Sequence, residues 1–298
     1  MRVTDQEHSE DGQLQRLAHE WTPPPAHVVE REEARITIGP VMQTTFTHGP
    51  EQRVVTTTRL GVRPAKRMTL RELERGYGRP LLAFSTFAAD RPDAIIHEAI
   101  SDKERREQAV ILRSGRTVQP REWRPDNRFL FRAEQLDDVV RVYARWMELW
   151  DEASVEIATF VDVISEGNTY SRARLLAAVA ALEAYWRTRL RFDEDGNKRK
   201  SSSLVDKLKM LRSYTAIDSD LIGSTNANLK VLAAARNLYA HLDQTIVNLT
   251  DEQIDDQLVD NCRRASALLQ GCLLRDLYIE PPDAQAMFEK HLSNWPLS

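Results

Sequence analysis

The sequence predicts an α+β N-terminal region followed by an all-α C-terminal region. Short runs rich in Ile, Val and Thr, which favour strands, occur only before residue 132. From about residue 133, apolar residues instead recur every three or four positions, as on one face of a helix. With 298 residues the chain is long enough for two domains that each have a core. We therefore expect an irregular segment at 1–30, a mixed α/β domain at 31–132 and an all-α domain at 133–298.

The N-terminal region divides at its prolines and glycines. Three consecutive prolines in WTPPPAH favour an extended linker over a helix or a strand. Residues 68–90 follow the spacing of one helix face, but Gly76, Gly78 and Pro80 should kink this helix or split it in two. The predicted strands, each ending in turn residues or a polar segment, are 34–40, 52–60, 94–100 and 109–115.

The C-terminal region contains a series of amphipathic segments. The first predicted helix, from residue 133, carries an apolar stripe that consists of Leu136, Val139, Val140, Tyr143, Trp146, Met147 and Trp150. A polar loop, 193–203, separates two of the later segments. Further helices are predicted at 153–165, 169–192, 201–213, 218–246, 251–278 and 282–292.

The composition limits the class of protein. No apolar run reaches the roughly 18–20 residues that span a bilayer, and the polar, acidic N-terminus does not resemble a secretory signal, so we expect a cytoplasmic protein without a membrane partner. Cys262 and Cys272 lie on one predicted helix, about 15 Å apart at 1.5 Å per residue, too far apart for a mutual disulfide. The net charge of −4 divides into +3 for residues 1–132 and −7 for residues 133–298, which gives no support for bulk nucleic-acid binding.

The stretch ARNLYAHLD, residues 235–243, carries the side chains most indicative of a chemistry. Arg236 is permanently cationic and forks onto phosphate, and His241 titrates near neutral pH and can move a proton. Asn237 lies four residues before His241, on the same helix face. RNA supplies its own nucleophile, the 2′-hydroxyl, so the protein needs no nucleophilic serine or cysteine. A metal-free ribonuclease could be built around these three side chains.

An arginine and a histidine separated by four to six residues are a pattern of little specificity, because Arg2–His8 and Arg91–His97 also satisfy it. Only Arg236 and His241 share a predicted helix in the all-α region, and only Arg236 is followed by a small polar residue. An ordinary solvated helix face, with His241 bonded to Asp243 or Glu183, is the alternative interpretation. No zinc-type Cys–His spacing, phosphate-binding glycine loop or nucleophile elbow occurs, so the sequence predicts no metal and no cofactor.

ARNLYAHL resembles the signature of HEPN domains (higher eukaryotes and prokaryotes nucleotide-binding). The segment RARLLAAVAALEAYWRTRL, with its Leu182–Glu183 pair, resembles the HEPN helix that carries an acidic residue, and SSLVDKLKML resembles the short helix between the two. The segment TLRELERGYGRPLLAFSTFAADRPDAI and the Arg145–Trp146 pair resemble the ApeA-like subfamily of anti-phage abortive-infection proteins. The resemblance covers about residues 65–290, and it implies a shortened N-terminal domain and an all-α HEPN bundle.

The resemblance also implies a function. HEPN nucleases are metal-independent RNases that act as homodimers, so His241 is expected to move the 2′-hydroxyl proton and Arg236 to stabilise charge on the scissile phosphate. Asn237 would orient the pair, Glu183 would support Arg236, and the products would carry 2′,3′-cyclic phosphate and 5′-hydroxyl ends. The implied role is a toxin-like effector of abortive infection with a phage-derived trigger. The alternative is a non-catalytic dimeric module that binds RNA or protein.

A basic cluster around the polar loop is a further candidate for RNA contact. Its acidic neighbours, Asp193, Glu194 and Asp195, dilute the positive charge, so a solvated loop is the alternative interpretation. Arg189 is also part of this sequence cluster. The residues named as RNA-binding candidates are Arg187, Arg191, Lys198, Arg199 and Lys200.

Overall fold

The computed structural model describes residues 2–8, 14–20, 26–46, 52–90, 99–102, 107–110, 130–131, 135–165, 170–193, 195–199, 203–241 and 256–292. For residues 2–8, 14–20, 40–46, 52–60, 99–102, 107–110, 165 and 241 it describes the backbone alone. The described chain is mostly helical, with antiparallel strands near the N-terminus. It divides into two compact units, residues 1–71 and 72–298.

The first unit is built from antiparallel strands. β1 (Arg2–His8) pairs with β2 (Leu14–Glu20), and β3 (His27–Arg31), β4 (Ala34–Phe46) and β5 (Gln52–Pro64) form a three-stranded sheet in that order. The predicted strands at 34–40 and 52–60 are confirmed, and both extend further than predicted. The expectation of an irregular segment at 1–30 is wrong for the described part, because cross-strand pairing organises polar sequence that has no apolar alternation of its own. The proline run at 23–25 lies outside the described residues.

In the second unit, the region before the long helices is described in part. A short helix, α1 (Leu70–Leu73), begins just before the division and continues through a π-helical turn (Glu74–Gly78) into α2 (Arg79–Ala89). The predicted kink or split at Gly76, Gly78 and Pro80 is thus replaced by a change of helix type, because the backbone stays helical from Leu70 to Ala89. β6 (Ala99–Asp102) pairs with β7 (Glu107–Val110). The remainder of the predicted strands at 94–100 and 109–115, like the Arg91–His97 pair, lies outside the described residues.

The long helices follow the sequence prediction in order and type. Residues 218–225, predicted as the start of a helix, instead form turns, because Gly223 adopts a positive φ of 59° and Thr225 caps the helix that follows. At Ala153 the first helix leaves helical geometry, which corresponds to the predicted separation of 133–152 from 153–165. The helices are α3 (Val139–Ser165), α4 (Arg172–Tyr185), α5 (Leu204–Thr215), α6 (Asn226–His241), α7 (Leu258–Asp276) and α8 (Pro281–Leu292).

Aromatic packing joins α2 to α3. The ring of Phe87 stacks on that of Trp146 at 5.4 Å between centroids, and the Trp146 Nε1–H donates to the Pro80 carbonyl oxygen at 2.8 Å. Both side chains are fully buried. The second unit therefore includes α2 together with α3, whereas the sequence predicted a domain boundary after residue 132. Aromatic stacking contributes on the order of 1 kcal/mol per pair beyond the burial of the rings.

α4 is the helix that positions the candidate site. It begins at Ser171, whose side chain accepts a hydrogen bond from the Arg174 N–H, and it continues into a π-helical turn (Trp186–Leu190). α7 runs parallel to it, because Cys262 contacts the Ser171 carbonyl at one end and the Tyr185 hydroxyl oxygen lies 3.2 Å from the Cys272 carbonyl oxygen at the other. α5 packs against α7.

No helix in the described chain is long and apolar enough to cross a membrane.

Candidate active site

The motif helix α6 holds the candidate residues at the edge of the helical core. Leu229, Leu232 and Ala233, three and four positions apart, form a buried face of the helix, and Leu238 is buried on another side. Arg236 continues the first face, four positions after Leu232, and both Arg236 and Asn237 are half-buried. Because the guanidinium is permanently charged, it needs a partner or water at this depth.

The partner of Arg236 is Glu183 of α4. The Arg236 Nη2 atom lies 3.2 Å from the Glu183 Oε2 atom, and Nη1 donates to the Asn237 Oδ1 atom at 3.1 Å. The side chains of Arg236 and Glu183 are 29% and 16% exposed, so the ion pair is partly shielded from water. The structure therefore brings together three of the residues that the sequence singled out, and Glu183 orients the guanidinium from a neighbouring helix.

Lys207 of α5 is a member of this cluster that sequence reasoning missed. Its Nζ atom lies 2.7 Å from the Glu183 Oε1 atom, so each carboxylate oxygen of Glu183 contacts a different cation. Lys207 also lies over the Trp186 ring, 5.6 Å from its centroid. Its position in SSLVDKLKML gave no signal, because only the packing of α5 against α4 selects Lys207 over Lys209.

Arg172 is a second residue that the sequence did not indicate. Its guanidinium lies 5.0 Å from the ring centroid of Tyr239, which follows Arg236 by three residues and lies near it on α6. Arg172 belongs to the first turn of α4. α6 thus lies beside cationic side chains from the first turn of α4 and from α5.

The net charge of the cluster around Glu183 is positive and favours the binding of an anion. Arg236 and Lys207 supply two positive charges and Glu183 supplies one negative charge, so this group has a net charge of +1 within an acidic half of the chain. A guanidinium held by a carboxylate is fixed in orientation, since its five N–H donors point in set directions. The arrangement is chemically suited to bind a phosphate and to stabilise charge that develops on it.

His241 is the last residue of α6. Its backbone continues the helix that carries Arg236 and Asn237, which keeps Asn237 and His241 on one helix face. The side chain of His241 and all of Asp243 lie outside the described residues. The other occurrence of the spacing that the structure describes, Arg2–His8, lies on the strand β1.

The predicted RNA-binding residues lie on and beside a small hairpin, residues 191–199, that follows the π-helical turn. Phe192 and Lys198 form an antiparallel bridge, and the Arg199 N–H donates to the Arg191 carbonyl oxygen at 2.8 Å. Arg187 precedes the hairpin and is exposed. Lys200 and Glu194 lie outside the described residues.

A second polar cluster lies around Asp276, which is buried at the end of α7. Its carboxylate accepts hydrogen bonds from the hydroxyls of Tyr185 and Tyr214 and forms an ion pair with Arg189, whose Nε atom lies 3.0 Å away. Arg145 donates from its Nε atom to the Asp276 carbonyl oxygen at 3.1 Å. This Asp276 cluster ties α3, α4 with its π-helical turn, α5 and α7 together. Arg189 belongs to this π-helical turn, a feature that is frequent at functional sites.

Burial and charge change the protonation of this cluster. Burial, followed by the negative charge of Asp276, raises the pKa of Tyr185 well above its ordinary value, and burial and the hydrogen bond to Asp276 raise the pKa of Tyr214. Burial lowers the pKa of Arg189, but the charge of Asp276 and the hydrogen bond to it outweigh that effect and raise it. Both tyrosines therefore stay neutral donors, and Arg189 stays charged.

We expect the stability of the helical unit to decrease above pH 10 because of the two tyrosines. The folded pKa of each lies above the unfolded value of about 10, so only the unfolded chain loses these protons as the pH first rises past 10. Phenol ionisation is followed by absorbance at 295 nm during a pH titration of wild type and Tyr214→Phe. We expect the variant to lack one ionisation that wild type shows well above pH 10. If the ionisation that the variant lacks is instead centred at pH 10, this assignment is contradicted.

Within the described part of the chain, no group of three or more His, Cys, Asp or Glu side chains is placed so as to hold a metal ion. Cys262 and Cys272 are free and buried, and burial raises the pKa of the Cys272 thiol.

Comparison with known proteins adds no relative. No protein family, no curated protein and no solved structure matches the chain. The resemblance of the motif segments to HEPN domains therefore stays a prediction, and the chemistry must be argued from the residues themselves.

Proposed function

We propose that the chain is a metal-independent endoribonuclease that uses Arg236 and His241. The observation that carries the proposal is the anchoring of Arg236: Glu183 and Asn237 hold its guanidinium at the edge of the motif helix, beside Lys207. A preoriented, permanently charged donor group is what a transition state with growing negative charge on phosphate requires.

The proposed reaction is an internal phosphoryl transfer. One His241 takes the proton from the 2′-hydroxyl, and the 2′-oxygen forms a bond to phosphorus while the bond from phosphorus to the 5′-oxygen breaks. A second His241 gives a proton to the leaving 5′-oxygen, which is possible when two motif helices face each other in a homodimer. Arg236 stabilises the phosphoryl oxygens, and the products carry 2′,3′-cyclic phosphate and 5′-hydroxyl ends.

Glu183 and Lys207 act through Arg236 in this proposal. Glu183 fixes one edge of the guanidinium, and Lys207 neutralises the other oxygen of that carboxylate. The carboxylate therefore repels an incoming phosphate less than an unpaired one would at the same position. We assign both residues to positioning, since neither needs to contact the reacting atoms.

The resemblance to ApeA-like proteins supports a role for this activity in anti-phage abortive infection. In that role the nuclease is a toxin-like effector in the cytoplasm, and a phage-derived trigger acts through the N-terminal region. Growth arrest on overexpression, relieved by Arg236→Ala, is the expected behaviour of such an effector.

Two observations favour a second candidate function, a non-catalytic homodimeric module that binds RNA or protein. Both terminal nitrogens of Arg236 already contact protein acceptors, Glu183 and Asn237, as in a structural ion pair. The excess of acidic residues in the C-terminal half also favours a protein partner.

The experiment that separates the two functions is an RNA cleavage assay with purified wild-type protein and excess EDTA. We expect undiminished cleavage, 2′,3′-cyclic phosphate ends detected by mass spectrometry, and no cleavage of the same sequence made with 2′-O-methyl groups. Complete loss of cleavage in EDTA, or products with 3′-hydroxyl ends, would overturn the nuclease mechanism.

A further inference from the structure

The hairpin at 191–199 exposes an aromatic ring among cationic side chains. Phe192 is 53% exposed, although a phenyl ring gains stability from burial. The guanidinium of Arg191 lies 5.5 Å from the ring centroid. Five cationic and three acidic residues lie between 187 and 199, in a half of the chain that is acidic as a whole.

The hairpin is held by hydrogen bonds that fix its shape. The Asp193 N–H donates to the Asn197 carbonyl oxygen at 2.9 Å. The carboxylate of Asp193 accepts hydrogen bonds from the N–H groups of Asp195 at 3.1 Å and Asn197 at 2.7 Å. Gly196 adopts a φ of +77°, which a side chain would disfavour. Phe192 is thus presented on a preorganised support, which lowers the entropy lost when a ligand binds.

The base of the hairpin is anchored to the helical core. In the preceding π-helical turn, Thr188 donates to Glu156 of α3 at 2.7 Å, and Arg189 is bound to Asp276. From Glu183 to Leu190, the end of the π-helical turn, the chain rises roughly 10 Å along the helix axis, which matches about three stacked nucleotides. The hairpin begins at the next residue, so we expect a strand bound at Arg236 to need only a few nucleotides to reach it.

We propose that Phe192 stacks on an unpaired base of RNA whose phosphates contact Arg187, Arg191 and Lys198. This inference rests on the proposed function for the identity of the ligand. An aromatic ring flanked by cations suits a nucleic-acid strand, because every base has a flat face and every linkage a negative charge. The strand must be single, since both faces of a base inside a duplex are covered by its neighbours.

The test is binding of a fluorescein-labelled 12-nucleotide uridine RNA, followed by fluorescence anisotropy. All proteins carry His241→Ala so that the RNA stays intact. We expect Phe192→Ala to weaken binding by about 5- to 150-fold and Phe192→Tyr to bind like the parent. Phe192→Leu, which keeps apolar bulk without an aromatic face, should resemble Phe192→Ala. Leu70→Ala is the control, because Leu70 has nearly the same exposure, 55%, outside the basic cluster.

Three results would overturn the proposal. The first two are unchanged RNA binding by Phe192→Ala and full RNA binding by Phe192→Leu. The third is that Phe192→Ala weakens binding of the single-stranded RNA and of its duplex with adenosine RNA by the same factor. Thermal unfolding of each variant confirms that the exposed substitution leaves the fold intact. If RNA binds through Phe192 but wild type never cuts it, the nuclease fails and this inference stands. If wild type cuts RNA and Phe192→Ala cuts it with unchanged KM, this inference alone fails.

Discussion

Replacing His241 by alanine is expected to lower kcat/KM for RNA cleavage by about 100- to 10,000-fold, the range for loss of a general acid or base. Arg236→Ala is expected to cost about 100- to 1,000-fold, the range for loss of one donor to a developing oxyanion. The physical reason differs between them. His241 moves a proton, whereas Arg236, held 3.2 Å from Glu183, supplies fixed positive charge. Initial rates on a fluorescent RNA, over a pH series, measure both.

The pH series separates the two roles. Arg236→Ala should keep the pH dependence that His241 imposes, and His241→Ala should lose it. Arg275→Ala is a matched control, since Arg275 is an exposed arginine on α7. Wild-type rates in both site variants would exclude the motif from catalysis and leave the binding module as the function.

Asp276→Asn is expected to lower the free energy of unfolding of the helical unit by about 3–5 kcal/mol, the cost of breaking a buried ion pair. The substitution removes the charge that Arg189 faces while Tyr185 and Tyr214 still point their hydroxyls at the site. The Asp276 side chain is only 3% exposed, so little water can enter to solvate the site, and Arg189 keeps only its second partner, Glu152. A decrease in Tm of about 6–20 °C follows for a unit of this size.

Glu148→Gln is the control for this prediction. Glu148 pairs with Arg145 at 2.8 Å in the same group of helices, but it is 57% exposed, and exposed pairs contribute about 0–1 kcal/mol. Denaturation in urea measures both variants. Equal midpoints for Asp276→Asn and wild type would mean that the Asp276 cluster does not hold the four helices together.

The sequence predicted the features that depend on short-range spacing. Apolar residues three and four apart located the helices from residue 139 onward, because a helix buries one face. The β-branched runs located β4 and β5. The hairpin of β1 and β2 was missed, because antiparallel pairing of polar segments is a property of two strands and of neither alone.

In the candidate site, too, the sequence revealed the residues that are close along the chain and missed those that only packing brings together. Arg236 and Asn237 were found from sequence because they are neighbours on one helix, and Glu183 was found by resemblance. Lys207 was not found, because its distance of 2.7 Å to Glu183 follows from the packing of α5 against α4. The Asp276 cluster was missed for a similar reason: its members come from four different helices and a π-helical turn, and their spacing in sequence follows no motif.

By itself the sequence determined the order and type of the main helices and the residues that suggest RNA chemistry, because periodicity and residue type are local properties. Tertiary structure decided which charges meet. It placed Arg236 and Lys207 on the two oxygens of Glu183 and buried Asp276 beneath Arg189. Electrostatic energy depends on distances and burial that arise only when helices pack, so these partners are fixed by the fold.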